Sequence, residues 1–213
     1  DSSYLAHIEN NKNEVRAITL VKLLDQNNIS VLEFFKPYGN IEKQNEIYEE
    51  QASRAFFNKD INALDELLKN SAYPNLIIRQ VVCLMRDKLI HQEKKFPKQK
   101  KKMIKRFLLA IDHWTDDCLW IIANSLEIFE ADEVCGIISL IASSYTDFNK
   151  YSDRRLKLLA QIILNFLDLC LKNKTPLWKV DKVFSYMNKL PNRSIIFYEK
   201  AQVAQIQIKE LCK

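Results

Sequence analysis

Two asparagines occupy matched places in an internal echo. Residues 121–129 read IIANSLEIF and residues 162–170 read IILNFLDLC; at an offset of 41 the apolar positions align, Asn124 falls on Asn165 and Glu127 on Asp168. An asparagine amide offers an acceptor oxygen and two N–H donors, which match the C=O and N–H of an extended peptide backbone. Asparagines on successive helices could clamp a peptide with little regard to its side chains. The same amides could instead bond neighbouring helices as satisfied buried groups, and residue type alone leaves both uses open.

The second asparagine belongs to a longer pattern. Arg154, Lys157, Gln161, Asn165, Asp168 and Lys172 recur three or four residues apart, and Leu, Ile and Phe dominate the positions between them. On a helix this is one narrow polar stripe inside a wide apolar arc, the opposite of an ordinary surface helix. It fits an inner helix with neighbours on both sides. Residues 116–129 repeat the layout with Trp120, Asn124 and Glu127. An arginine on such a stripe adds charge-assisted bonds to a carboxylate, such as a peptide C-terminus or an acidic side chain.

Other chemistry finds no support. His7, His91 and His113 share no ligand spacing with each other or with the cysteines, so no metal site is argued. The only glycines are Gly39 and Gly136, which leaves no glycine-rich phosphate loop. No Ser/His/Asp arrangement can be defended. The expectation is a protein that is not an enzyme and carries no cofactor. Cys83, Cys118, Cys135, Cys170 and Cys212 are odd in number and lack CxxC spacing, which reads as reduced, buried thiols in a cytoplasmic protein. The net charge of +5 is compatible with nucleic-acid contact without arguing for it. The run KKFPKQKKKMIKR from Lys94 to Arg106 could touch phosphates, but without interleaved aromatics it reads more readily as a solvated loop and helix start.

The elements that must position these residues are helical. Two glycines and five prolines among 213 residues, with 47% hydrophobic and 28% charged, favour long helices and short turns. No alternating strand pattern occurs, and the apolar stretches are too interrupted to cross a membrane. Helices are predicted near 41–58, 60–70, 74–92, 98–112, 116–129, 132–149, 153–173, 176–189 and 194–212. Asp60, Thr115, Asp132 and Ser194 are expected N-caps, and Thr175-Pro176 an expected helix start. Ahead of these, residues 1–12 read as a short helix and turn, and AITLVKLLDQNN as a second helix. Ser30 and Glu33 have capping-box spacing before Phe34. Residues 37–40 form a breaker and candidate linker. A period near 41 made of helix formers predicts an all-α fold, a right-handed stack of helical hairpins of the tetratricopeptide or HEAT kind from residue 41 onward.

The segment SSYLAHIENNKNEVRAITLVKLLDQNNISVLEFF resembles part of a bacterial helix-turn-helix domain, in particular that of the Rgg/GadR/MutR family of Gram-positive transcriptional regulators. DHWTDDCLWIIANSLEIF is similar to a later family stretch through Trp114, Leu119, Asn124, Leu126 and Phe129. DRRLKLLAQIILNFLDLC and IIFYEKAQ resemble the segments that follow. The turn glycine of the family pattern is Asn11 here, and its glutamate after the tryptophan is Cys118. The resemblance implies a cytoplasmic homodimer involved in quorum sensing, without a membrane segment. Residues 1–36 would be the C-terminal part of a helix-turn-helix domain that binds promoter DNA. Residues 41–213 would form a helical-repeat domain for dimerisation and for a short peptide pheromone. By position, Arg154 or Arg155 would line the peptide pocket with Asn124 and Asn165, beside Gln161 of the stripe. Ser2, Ser3, Tyr4 and His7 would lie on or beside the DNA-facing recognition helix. The pattern starts inside the helix-turn-helix domain and stops before the last family helices, so the chain is expected to be a piece of a longer regulator. The alternative reading is a helical-repeat adaptor that binds a protein partner and no DNA.

Overall fold

A computed structural model describes residues 17–27, 29–31, 34, 40–70, 75–111, 114–173 and 181–211. The four DNA-facing candidates, the Thr175-Pro176 start and Cys212 lie outside these residues. All regular structure among the described residues is helical. The chain divides into two compact units, Asp1–Gln44 and Asn45–Lys213. In the first, helix α1 (Ala17–Gln26) buries Leu24, and the Asn27 side chain closes its end by donating to the Leu23 carbonyl at 2.7 Å.

From residue 40 onward nine α-helices follow among the described residues, α2 (Asn40–Phe57), α3 (Ile61–Lys69), α4 (Leu76–Leu89), α5 (Lys98–Leu109), α6 (Asp116–Ser125), α7 (Ala131–Ser144), α8 (Asp153–Lys172), α9 (Asp181–Lys189) and α10 (Phe197–Leu211). The order and number match the sequence reading. Two kinds of helix alternate. On α6, Cys118 through Ala123 are all buried, and α8 buries residues on most of its circumference. On α7 only the 134, 137, 138 and 141 face is buried, an amphipathic pattern. The inner helices α4, α6, α8 and α10 pack each on the next, while α5 packs on α4 and α9 on α8 and α10. This is the helical-repeat architecture the 41-residue echo implies: its two copies lie on α6 and α8, which are neighbours.

Local chemistry sets the boundaries. Asp60 caps α3 by accepting from the Ala63 N–H at 3.0 Å, and Thr115 caps α6 by accepting from Cys118 at 3.4 Å. Asn75, unforeseen, caps α4 through two backbone N–H groups, at 3.0 and 3.2 Å. Asp132 is not a cap: α7 already starts at Ala131, and the Glu133 carboxylate accepts from the Glu130 N–H at 2.8 Å. Ser194 opens a 3₁₀ turn, Ser194–Ile196, which precedes α10. The expected helix over 132–149 stops at Ser144, and that over 116–129 tightens into a 3₁₀ turn at Leu126.

Two helices end in the same costly way. Behind α2, the Asp60 N–H bonds the Ala55 carbonyl at 2.8 Å and the Lys59 N–H bonds Phe56 at 3.0 Å. Behind α4, Gln92 bonds Asp87 at 2.7 Å and His91 bonds Lys88 at 3.1 Å. Both are Schellman endings, which need a left-handed residue where glycine is usual. Here Lys59 (φ 55°) and His91 (φ 54°) occupy it. A side chain there costs about 1–2 kcal/mol, partly offset by the greater unfolded freedom of glycine. Lys59→Gly is therefore expected to raise stability by about 0.5–1 kcal/mol. Urea denaturation checks this; a lower midpoint would show that the Lys59 side chain holds something the backbone argument omits.

Candidate peptide groove

The polar stripe of α8 runs along two cavities. Asn165, Asp168 and Lys172 line one of about 490 Å³, together with Asn124 and Glu127 from the α6 end, Lys88 from α4 and Phe56 from α2. Arg154, Lys157 and Gln161 line another of about 450 Å³, with Glu49, Glu50 and Ser53 of α2 and Trp120 of α6. The structure thus brings Asn124 and Asn165 together in one cavity and puts Arg154 and Gln161 in the next one along the same helix. Arg155 lines neither. Its guanidinium bonds Asp116 at 2.5 Å and stacks near the rings of Tyr145 and Tyr151, at 5.9 and 6.0 Å.

The first cavity is built around the end of α6, whose last carbonyls have no partner within their own helix. Asn165 Nδ2 donates to the Ala123 carbonyl at 2.7 Å, and Lys88 Nζ donates to the Asn124 carbonyl at 2.8 Å. Lys88 also pairs with Glu127 at 2.6 Å and lies 5.9 Å from the Phe56 ring centroid. A cation here complements the negative end of the helix dipole. Asn124 Nδ2 donates to the Trp120 carbonyl one turn back, at 2.9 Å. Each asparagine is therefore oriented by one N–H. Its acceptor oxygen and second N–H have no partner among the described residues. Burial pushes the Asp168 carboxyl up, against the pull of Lys172.

The second cavity rests on an ionic cluster that the sequence reading did not anticipate. Arg154 bonds Glu49 at 2.5 Å and forms ion pairs with Glu46 at 3.4 Å and Asp116 at 3.9 Å. Asn45 donates to Asp117 at 2.9 Å, and Trp120 Nε1 donates to Ser53 at 2.9 Å. The cluster ties α2 to the first turns of α6 and α8. Glu49 is fully buried, and its Oε1 has no hydrogen-bond partner among the described residues. A signal existed: in NEIYEEQASRAF, Glu49 lies on the same face as Tyr48, Ala52 and Ala55, a carboxylate among core positions. Arg154 was legible as a stripe residue, but its acidic partners on a helix a hundred residues earlier were not.

Burial raises the Glu49 carboxyl to about 9; Asp117 and Glu46 add to the rise, and Arg154 opposes it. Above its ordinary value of 4.5 the folded protein thus holds a proton that the unfolded chain releases. The stabilisation linked to that proton is complete below about 4.5 and is lost as pH rises through about 9. Glu49→Gln, which mimics the protonated form, should match the parent in melting temperature near the low end of this window and exceed it at the high end. Thermal melts across the window test this; parallel curves for the two proteins would refute the assignment.

The family model described as "HTH-type transcriptional regulator Rgg, C-terminal domain" matches residues 61–208, over two thirds of the chain. No curated protein matches the chain. The matched span holds α3 through α9 and most of α10, and with them every groove residue outside α2. By its architecture and by this match, the chain belongs to the Rgg family of helix-turn-helix transcriptional regulators.

Proposed function

We propose that the stripe face of α8 receives a short peptide in extended form, and that its occupancy controls promoter binding by a helix-turn-helix domain. The observation that carries this reading is the pair of half-satisfied amides, Asn124 and Asn165, lining one cavity. Each offers an acceptor and a donor, the two groups that an extended peptide backbone presents in turn. From Arg154 to Lys172 the stripe covers about 27 Å of helix, room for roughly eight extended residues. Gln161 continues the row of amides between the asparagines and Arg154. Arg155 is engaged elsewhere and is left out of the contact set. Ser2, Ser3, Tyr4 and His7 are retained as DNA contacts, and a cytoplasmic homodimer as the working assembly, because the family resemblance implies them. The peptide is read as a pheromone of a quorum-sensing system on the same ground. Membership in a family of transcriptional regulators leaves the adaptor alternative with no observation in its favour.

The two asparagines separate the functional role from the structural one. Asn165 also holds the end of α6, so Asn165→Ala should cost about 1 kcal/mol of stability in addition to any binding loss. The Asn124 side chain bonds only its own helix, which makes Asn124→Ala the cleaner probe. A binder selected from a library of eight-residue synthetic peptides should lose about 5- to 150-fold in affinity on Asn124→Ala, corresponding to about 1–3 kcal/mol for stranded backbone groups. The melting temperature should change little. Calorimetric titration and thermal melts read both quantities. Unchanged affinity with a collapsed melting temperature would make the amides structural and remove the groove assignment.

A further inference from the structure

We infer that the outer face of α5 is a second DNA-contacting surface, one that grips the phosphate backbone from within the helical-repeat unit. Between Glu93 and Asp112 the chain carries eight lysines and arginines and no acid. The remaining residues then hold 24 bases against 27 acids, so the whole positive excess of the chain resides in this one segment. Folding concentrates it further. Ile104 and Leu108 turn the apolar side of α5 into the core, with Phe96 buried beside them. Lys98, Lys102 and Arg106 fall one turn apart on the exposed side, next to exposed Lys94 and Lys95. Of the eight, only Lys105 is engaged in an ion pair among the described residues, with Glu133 at 2.6 Å. Lys100 lies 5.8 Å from the Phe96 ring centroid and is spent locally.

Such a face is a single-sign field whose one ion pair among the described residues is Lys105 with Glu133, and it fits a polyanion. One helical turn advances each charge by about 6 Å, near two phosphate steps at about 3.4 Å of axis per strand. Lysines are point charges that position a protein on the duplex without reading bases. The apolar side of α5 is occupied by the core, so little remains to insert into a lipid surface, and exposed Leu109 stands alone at the helix end. DNA is the polyanion to which this family is dedicated. None of the eight cations lines either groove cavity, so this surface stands or falls independently of the peptide reading.

The test is the salt dependence of duplex binding by the full chain, read by fluorescence anisotropy on a mixed-sequence DNA. Each phosphate contact adds about 0.9 to the slope of log affinity against log salt. The triple variant Lys98→Gln, Lys102→Gln, Arg106→Gln should lower that slope by about 2–3. A control with the same charge change, Lys182→Gln, Lys189→Gln, Lys209→Gln, should leave it unchanged, with both variants melting like the parent. Equal slopes for the triple variant and the parent would overturn the proposal. So would absence of duplex binding by the parent at about 50 mM salt, where electrostatic binding is strong. Loss of adhesion to phosphatidylglycerol vesicles in the triple variant, with an unchanged duplex slope, would assign the face to membranes and overturn it equally.

Discussion

The contact between Arg154 and Glu49 is the joint on which the groove depends. It fastens α2 across the starts of α6 and α8, and those three helices form the walls of the second cavity. A buried ion pair is a poor source of stability, since desolvation offsets much of the attraction. Its value here is positional. The guanidinium reaches Glu46, Glu49 and Asp116 from one point, so the three helices share a single register. Breaking such a pair ordinarily costs about 3–5 kcal/mol, because a charge is stranded in the interior. Glu49 limits that cost. Its carboxyl is raised to about 9 and can hold a proton, while Glu46 and Asp116 stay beside Arg154 to balance the cation.

The first cavity depends on a different constraint, the unsatisfied end of a helix. α6 is nearly all core and tightens into a 3₁₀ turn after Ser125, so its terminal carbonyls need outside partners. Asn165 and Lys88 supply them. Asn165, one of the two amides that would meet a peptide, is thereby fixed by the same bond that completes the fold. A site held this way loses less side-chain freedom on binding than one lined by unrestrained rotamers.

Periodicity made the helices readable. Runs such as Val134, Ile137, Ile138 and Ile141 announce both an element and its buried side, and the 41-residue echo announces the stack. Caps were readable where one residue acts on its own helix, as at Asp60 and Thr115. They failed where neighbours competed, as when Glu133 captured the Glu130 N–H and moved the start of α7 ahead of Asp132. The stripe on α8 was readable because it is local. The partners of its charges were not: Arg154 meets Glu49 across 105 positions, and Lys88 meets the Asn124 carbonyl across 36. No period links such pairs. Arg155, one residue from Arg154, shows the limit: the helix turns it toward Asp116 and two tyrosine rings, and adjacency in sequence becomes separation in function.

The distribution of charge gives the two surfaces different physical characters. In the groove, three of the bases are paired with acids: Lys88 with Glu127, Lys157 with Glu199 at 2.8 Å, and Arg154 with Glu46 and Asp116 beside Glu49. Neutralised in this way, the groove exerts little long-range pull, and selection there must come from shape and from hydrogen bonds at contact distance. On α5 the bases form no ion pair among the described residues apart from that of Lys105 with Glu133. That field acts at a distance and discriminates poorly, which suits a backbone of repeating phosphates. A regulator needs both kinds of surface, a discriminating one for its signal and an indiscriminate one for holding DNA. On the two proposals made above, their separation on the chain would let the peptide site change its specificity without disturbing the electrostatics of the other.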